Sequence, residues 1–321
     1  MTGSLERRDA RSTERASAVS RLEAILHKAL HIPWLDLLKP FFEKILAVMN
    51  PLKEIRISHF PQISFPTRDN GITVVSANLW HDWPRRRRLS HRLEAFAQLV
   101  ESEGADVVLL QEVIRSPEIC ADDWLAQRLG MARVYTRANG DETAIGFEEG
   151  LAVLSRFPIH APQQTSLGFG RSLFNRMALA AEVVSPLGKI FAVSVHLGLL
   201  RGRNQRQWAS LQHWVTDMSG GRTALIGGDF NAHENTYPVR KAQELWIDTY
   251  RIVNPHTEGT THELRLPWGK TFRRRRLDYI FLQPGPTYWA VDDARHLEHK
   301  CEPHSDHRAV LVKLRSNLNN S

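Results

Sequence analysis

Polar residues able to ligate or titrate recur in this 321-residue chain where short apolar runs stop. ITVVSA runs into Asn78, VVLLQ into Glu112, FAVSV into His196 and TALIGG into Asp229 and Asn231, while HSDH sets Asp306 and His307 just before RAVLVKL. Runs of this kind read as strands, and strand ends along one edge of a sheet converge on a common crevice. Distant parts of the chain can therefore assemble one site there. Asp278 differs in kind, because it stands inside the apolar segment LDYIF, where an unpaired carboxylate is costly. It needs a cation, a histidine or several donors beside it. Carboxylates, amides and histidines without a cysteine suit a hard divalent ion, Mg2+ or Mn2+, better than structural zinc. Such an ion keeps positions for water and phosphate, and phosphoester cleavage is the chemistry it serves best.

These residues need strands to carry them, and from Gly71 onward short β-branched runs alternate with helical patterns. Strands are predicted at 72–77 and 107–110 around a helix at 89–103 with Leu89, Leu93, Phe96 and Val100 inward. Further strands are predicted at 151–154, 178–184, 190–195, 222–226, 277–282 and 308–313, with a helix at 204–217. The domain so outlined spans 67–316, between a polar tail at 1–19 and a short one at 317–321. Residues 20–66 read as an extension: Leu22, Ile25, Leu26, Ala29 and Leu30, then Phe41, Phe42, Ile45, Leu46 and Met49, fall at helical spacing, followed by a linker with Pro61 and Pro66. Its two amphipathic helices either pack on the domain or on a second copy, or give residues 21–50 a peripheral contact with a membrane surface.

Hydrophobic content of 42% and charged content of 24% exclude wholesale disorder. The net charge of +7 favours polyanionic partners. Cys120 and Cys301 form neither a disulfide framework nor a metal spacing, which makes a reducing cytoplasm the simplest compartment. The first 20 residues hold no apolar signal core, and no segment has the roughly 20 apolar residues of a membrane span. No protein partner can be inferred. Most charge runs are solvated faces, but Arg85–Arg88 follow the Asn78 strand and Arg273–Arg276 lead into Asp278, so both should border the crevice. Arginine forks there suit phosphate, and Trp80, Trp83 and Trp268 could stack on bases or lie at a bilayer interface.

Taken in order, SANLW, LLQEV, EEGLAVLSRFPI, NRMALAAEV, VSVHLGL, GGDFNA, RRLDYIFL and HSDHRAV resemble the endonuclease/exonuclease/phosphatase superfamily, the DNase I-like metal-dependent phosphoesterases, over about residues 71–315. The resemblance implies a four-layer αββα sandwich of two mixed sheets flanked by helices, which the strand and helix alternation agrees with but does not fix. It implies Glu112 as the main Mg2+ ligand, Asn78 orienting that site or serving a second metal position, and Asp306 completing the metal or base shell. Asp229 would align and deprotonate the attacking water, and Asn231 would hold that water or a phosphate oxygen. His307 would bind the phosphate, with Asp278 accepting from its other nitrogen. His196 would sit near the leaving oxygen, oriented by Glu149. Arg176, in NRMALAAEV, and Arg87, Arg88, Arg275 and Arg276 of the two runs would contact substrate phosphate.

The substrate is less defined than the reaction. An apurinic endonuclease is disfavoured, because LWHDW follows Asn78 and position 196 is histidine rather than tyrosine. Secreted DNase I-like enzymes carry disulfides that two distant cysteines do not match. Nucleic acid fits the basic rim and the net charge. The rivals are a phospholipid, sphingomyelin or phosphoinositide headgroup at a membrane, and a small phosphoester. A non-catalytic module of the same fold is disfavoured, since such a protein should lose one of Glu112, His196, Asp229, Asn231, Asp306 and His307, and all stand.

Overall fold

Residues 54–58, 71–82, 85–168, 175–265, 268, 270–299 and 301–316 are described by a computed structural model. The larger of its sheets runs β1 (Ile55–Ser58), β5 (Ala132–Asp141), β6 (Phe147–Ser155), β3 (Val107–Ser116), β2 (Gly71–Asn78), β16 (Ala309–Ser316) and β15 (Trp289–Leu297), with the short β4 (Ile119–Cys120) on β3. The smaller runs β11 (Ile247–Asp248), β14 (Asp278–Gln283), β10 (Ala224–Asp229), β9 (Gly188–His196), β8 (Met177–Ser185) and β7 (Ile159–Ser166). In each sheet one central pair, β2–β3 and β9–β10, is parallel among antiparallel neighbours. A separate hairpin joins β12 (His262–Arg265) to β13 (Thr271–Arg275).

The sheets pack face to face. Ile72, Val74, Val107 and Leu109 of the larger meet Leu179, Ala181, Leu225 and Ile280 of the smaller in one buried cluster. On its outer face the larger sheet turns Val75, Ala77 and Val108 to α1 (Leu89–Glu103) and α2 (Ala121–Leu129). With both faces covered, its central strands read as continuous apolar runs. The short α3 (Glu142–Ile145) joins β5 to β6, while α4 (Arg201–Ser219) and α5 (Tyr237–Gln243) cover the smaller sheet, and α6 (Thr249–Val253) follows β11. This is the αββα sandwich implied by the resemblance. No helix among the described residues is long and apolar enough to cross a membrane.

Helix α1 has the predicted bounds and buries the predicted face. Periodicity missed β5, β7, β15 and α2. β5 hides because Arg133, Thr136, Arg137 and Asn139 are buried in it, Arg133 paired with the buried Asp122 at 2.6 Å. Ile55–Ser58, assigned above to the extension, is instead an edge strand of the larger sheet. The tails at 1–19 and 317–321, the helices within 21–50 and the linker prolines lie outside the described residues.

Candidate active site at the strand ends

Register alone brings the first residues together. Asp229 lies opposite His196 on parallel β9 and opposite Asp278 on antiparallel β14, so three polar side chains share one end of the smaller sheet. Facing them, Asn78 ends β2, and Glu112 occupies a break in the β3–β6 pairing with a left-handed φ of 51°. That conformation is uncommon for a glutamate, and bulges of this kind re-aim a side chain. Asn78 joins the two halves: its Nδ2 donates to Glu112 Oε1 at 3.1 Å and to Asp229 Oδ2 at 3.2 Å.

Asp229 is held from both ends. Oδ1 accepts the backbone N–H of Asn231 at 2.9 Å, and Oδ2 the Asn231 Nδ2 at 3.3 Å. Asn231 has φ of 50°, which asparagine adopts more readily than most residues. Burial first, then the charge of Asp278, push the Asp229 carboxyl up to about 7, with His307 working against them. Gly227 and Gly228 leave room for protein to come close. A Cβ on Gly227 would meet Leu109 of the facing sheet at 2.6 Å, and one on Gly228 the Val195 carbonyl at 1.9 Å.

The two histidines near Asp229 have opposite characters. His307 Nδ1 lies 2.8 Å from Asp278 Oδ2. Burial opposes a charge on His307, yet Asp278, then Asp229 and Asp306, hold its pKa well above the ordinary value. His196 is held well below it, by burial first and then by Arg176, whose Nη1 is 3.1 Å from the ring nitrogens. His196 Nε2 lies 3.3 Å from Asn231 Nδ2 and 3.6 Å from Asp229 Oδ2. Glu149 was expected to orient His196. It stands instead in β6, opposite Ile114 of the larger sheet, with Oε2 at 3.5 Å from His81 Nε2.

His81 and His262 had no motif to reveal them, since both lie outside the quoted strand ends. His81 reaches Glu112 Oε2 at 3.7 Å; burial opposes its charge, but Glu149, Glu112 and Asp82 raise its pKa. The His262 ring lies 4.5 Å from that of His307, and its Nε2 is 3.9 Å from Asp306. Buried Arg92 donates to the carbonyls of Leu79, Trp80 and His304, tying the loop after β2 to the loop before β16.

The arginine runs divide. Arg87 pairs with Asp82 at 2.9 Å and Arg88 with Glu302 at 2.6 Å, both exposed. Arg275 ends β13 in a partly exposed position, with no ion pair among the described residues. Arg276 does not reach the crevice: it is 1% exposed and bound to Asp248 and Glu234. Trp83 lies outside the described residues.

Two groups of described residues bring their donor atoms within 4.8 Å: His262, Asp306 and His307, and Asp229, Asp278 and His307. Glu112 adds a half-buried carboxylate whose pKa rises through loss of solvent and the neighbouring Glu149, a concentration of negative charge that a cation would relieve. Asp278 Oδ1 is buried without a hydrogen-bond partner among the described residues. The carboxylate oxygens in these groups fit a hard divalent ion.

The sequence profile of the Endonuclease/Exonuclease/phosphatase family matches residues 75–307. Uncharacterized protein YbhP of Escherichia coli (strain K12) is 33% identical over an alignment of 147 residues, which covers 41% of this chain and 56% of that protein. The chain thus spans about half the length of the curated relatives it matches. Among solved structures, a family protein from Leptotrichia buccalis C-1013-b superposes with a TM-score of 0.63 at 18% identity, over 76% of this chain and 99% of that one. D. rerio TDP2 complexed with single strand DNA product gives 0.61 at 16% identity, over 77% and 100%. At these identities the likeness shows a common fold.

Proposed function

Since the chain belongs to the endonuclease/exonuclease/phosphatase family, whose members are phosphoesterases, we propose that it is a divalent-metal-dependent phosphodiester hydrolase acting on nucleic acid. The observation that supports this reading most is the meeting of Asp229, Asp278 and His307 within 4.8 Å, tied through Asn78 to Glu112. A carboxyl raised to about 7 takes a proton at neutral pH, so Asp229 is suited to activate the attacking water, with Asn231 fixing its direction. His307, kept cationic by Asp278, donates to a phosphate oxygen and stabilises charge gathering there. His196, kept neutral, donates a hydrogen bond toward the leaving oxygen, and Arg176 adds positive charge beside it. Glu112, Asn78 and Asp306 would hold Mg2+, with Mn2+ as a substitute. When bound, the ion supplies Lewis-acid stabilisation of a phosphoryl oxygen.

Mg2+-dependent hydrolysis of bis(p-nitrophenyl) phosphate tests the site. Glu112→Gln and His307→Ala should each lower kcat/KM by about 10²- to 10³-fold. Wild-type activity in either variant overturns the assignment.

Nucleic acid is favoured by the net charge of +7 and by a fold shared with a DNA-bound neighbour. The lipid-headgroup reading draws on Leu264, Trp268 and Phe272, exposed by 49%, 73% and 66% in and beside β12 and β13, close to Lys270, Arg273 and Arg274. Plasmid DNA, single-stranded DNA, RNA, and sphingomyelin and phosphoinositide vesicles, each assayed with Mg2+ and Mn2+, separate the readings. Turnover of vesicle lipid alone would replace nucleic acid with the headgroup.

A further inference from the structure

Beside the strand-end site lies a cleft of about 650 Å3, lined by five arginines (Arg240, Arg251, Arg274, Arg275, Arg276) against two glutamates (Glu234, Glu258). Part of the lining is fixed. Arg276 lies 4.9 Å and 4.4 Å from the ring centres of Tyr250 and Tyr279 and donates to both oxygens of Asp248. Arg251 donates to both oxygens of Glu234, at 2.7 and 2.8 Å. Those two arginines thus occupy Glu234 and Asp248, and Glu263 takes Arg274 at 3.3 Å. Arg240 and Arg275 remain, with no ion pair among the described residues; Arg240 spends one Nη1 hydrogen on the Asn235 carbonyl. The positive field is felt by His233 in the same lining, held below its ordinary pKa by burial first and, against Glu234, by Arg275, Arg273 and Arg276.

The cleft adjoins the candidate site at two places. His233 follows Asn231 by two residues, and Arg275 pairs across the hairpin with His262, whose ring lies against His307. We propose that this cleft binds a phosphate group of the substrate other than the one being cleaved, with Arg240 and Arg275 as its ligands. The volume accommodates a nucleotide-sized group. Arginine forks bind phosphate oxygens in pairs, and polar walls of this kind do not suit an acyl chain. The inference rests on the phosphodiesterase reading and narrows it to substrates with a second phosphate, either the next link of a strand or a terminal phosphate on a small molecule.

The test compares p-nitrophenyl phosphodiesters of thymidine, in the 5′ and 3′ series, with and without a further phosphate on the other hydroxyl. Wild type should favour the doubly phosphorylated compound of one series by about 10-fold or more in kcat/KM, and Arg240→Glu should bring that ratio near one. A ratio near one in wild type, or one unchanged in Arg240→Glu, overturns the cleft assignment while leaving the hydrolase reading intact. Binding of a labelled single-stranded 12-mer in EDTA, followed by anisotropy against salt, reads the cleft without turnover. Arg240→Ala should reduce the salt slope by about one. Preference among the esters with an unchanged slope identifies a small bisphosphate as the source; loss of both identifies the strand. If wild type hydrolyses no ester, the hydrolase reading fails, and the slope alone decides the cleft: a drop supports it and no change overturns it.

Discussion

His307 and His196 approach the same carboxylate, Asp229, and their surroundings drive them to opposite protonation states. Burial disfavours the charged form of both, so the difference comes from partners: Asp278 at 2.8 Å from one, Arg176 at 3.1 Å from the other. Such divergence within one site is how acid and base roles become separated. Removing Asp278 should undo it. In Asp278→Asn the largest raising influence is gone, leaving Asp229 and Asp306 against burial, so the His307 pKa falls. The wild-type imidazolium survives at neutral pH because its pKa lies well above the ordinary value; in the variant it is lost as pH rises through the lowered one. Expected are a kcat/KM reduced about 10²-fold or more at neutral pH and partial recovery toward acid pH. A His307 ring titration by NMR reads the shift independently of turnover. An unchanged titration curve would show that Asp278 does not set the charge.

Strands put residues at defined places, and where the pleat or register decides, the sequence pattern falls short. Asn78, His196 and Asp229 were legible because each ends an apolar run whose burial specifies it as a strand. Asp278 was legible because an acid in an apolar segment demands a partner. Glu149 was misplaced because alternation shows which face a residue takes but not its cross-strand neighbour, and β6 pairs it with Ile114, near where the loop after β2 delivers His81. The Arg273–Arg276 run looked uniform, yet β13 ends at Arg275 and the next residue turns into the protein. His262, His81 and Arg92 act from loops, an irregular strand start and a helix flank, where spacing carries no signal. The divided run predicts divided phenotypes. Arg276→Ala leaves the 7% exposed Asp248 without its cation and should destabilise by about 3–5 kcal/mol, read as a lower urea midpoint. Arg275→Ala should leave that midpoint within the error of measurement and instead weaken binding of the 12-mer. Equal stability losses in both would mean that Arg275 also belongs to the buried network.

At the scale of the molecule, what matters is where the two-sheet unit starts. Contacts divide the chain into Met1–Asn50 and Pro51–Ser321, and β1 lies just inside the second unit, paired with β5 from Ile55 opposite Thr136 to Ser58 opposite Arg133. Arg56 of β1 donates to Glu148 at 2.5 Å, and Glu148 is 2% exposed. A truncation designed from composition, starting at residue 67, would remove this strand, bare the edge of β5 and leave Glu148 to Arg115 and Arg137 at 3.6 and 3.8 Å. Unpaired edges of that kind invite association between chains. A protein starting at residue 54 should keep the melting temperature of the two-sheet unit and the proposed hydrolysis of bis(p-nitrophenyl) phosphate, whereas one starting at 67 should melt several degrees lower and aggregate. Identical melting of the two would make β1 dispensable. The protein starting at 54, set beside the full chain, tests the expectation for residues 21–50: co-sedimentation of the full chain with anionic vesicles, lost in the protein starting at 54, assigns surface contact to the first unit. Retained co-sedimentation assigns it to the second unit, where Leu264, Trp268 and Phe272 are exposed apolar side chains beside the arginine run.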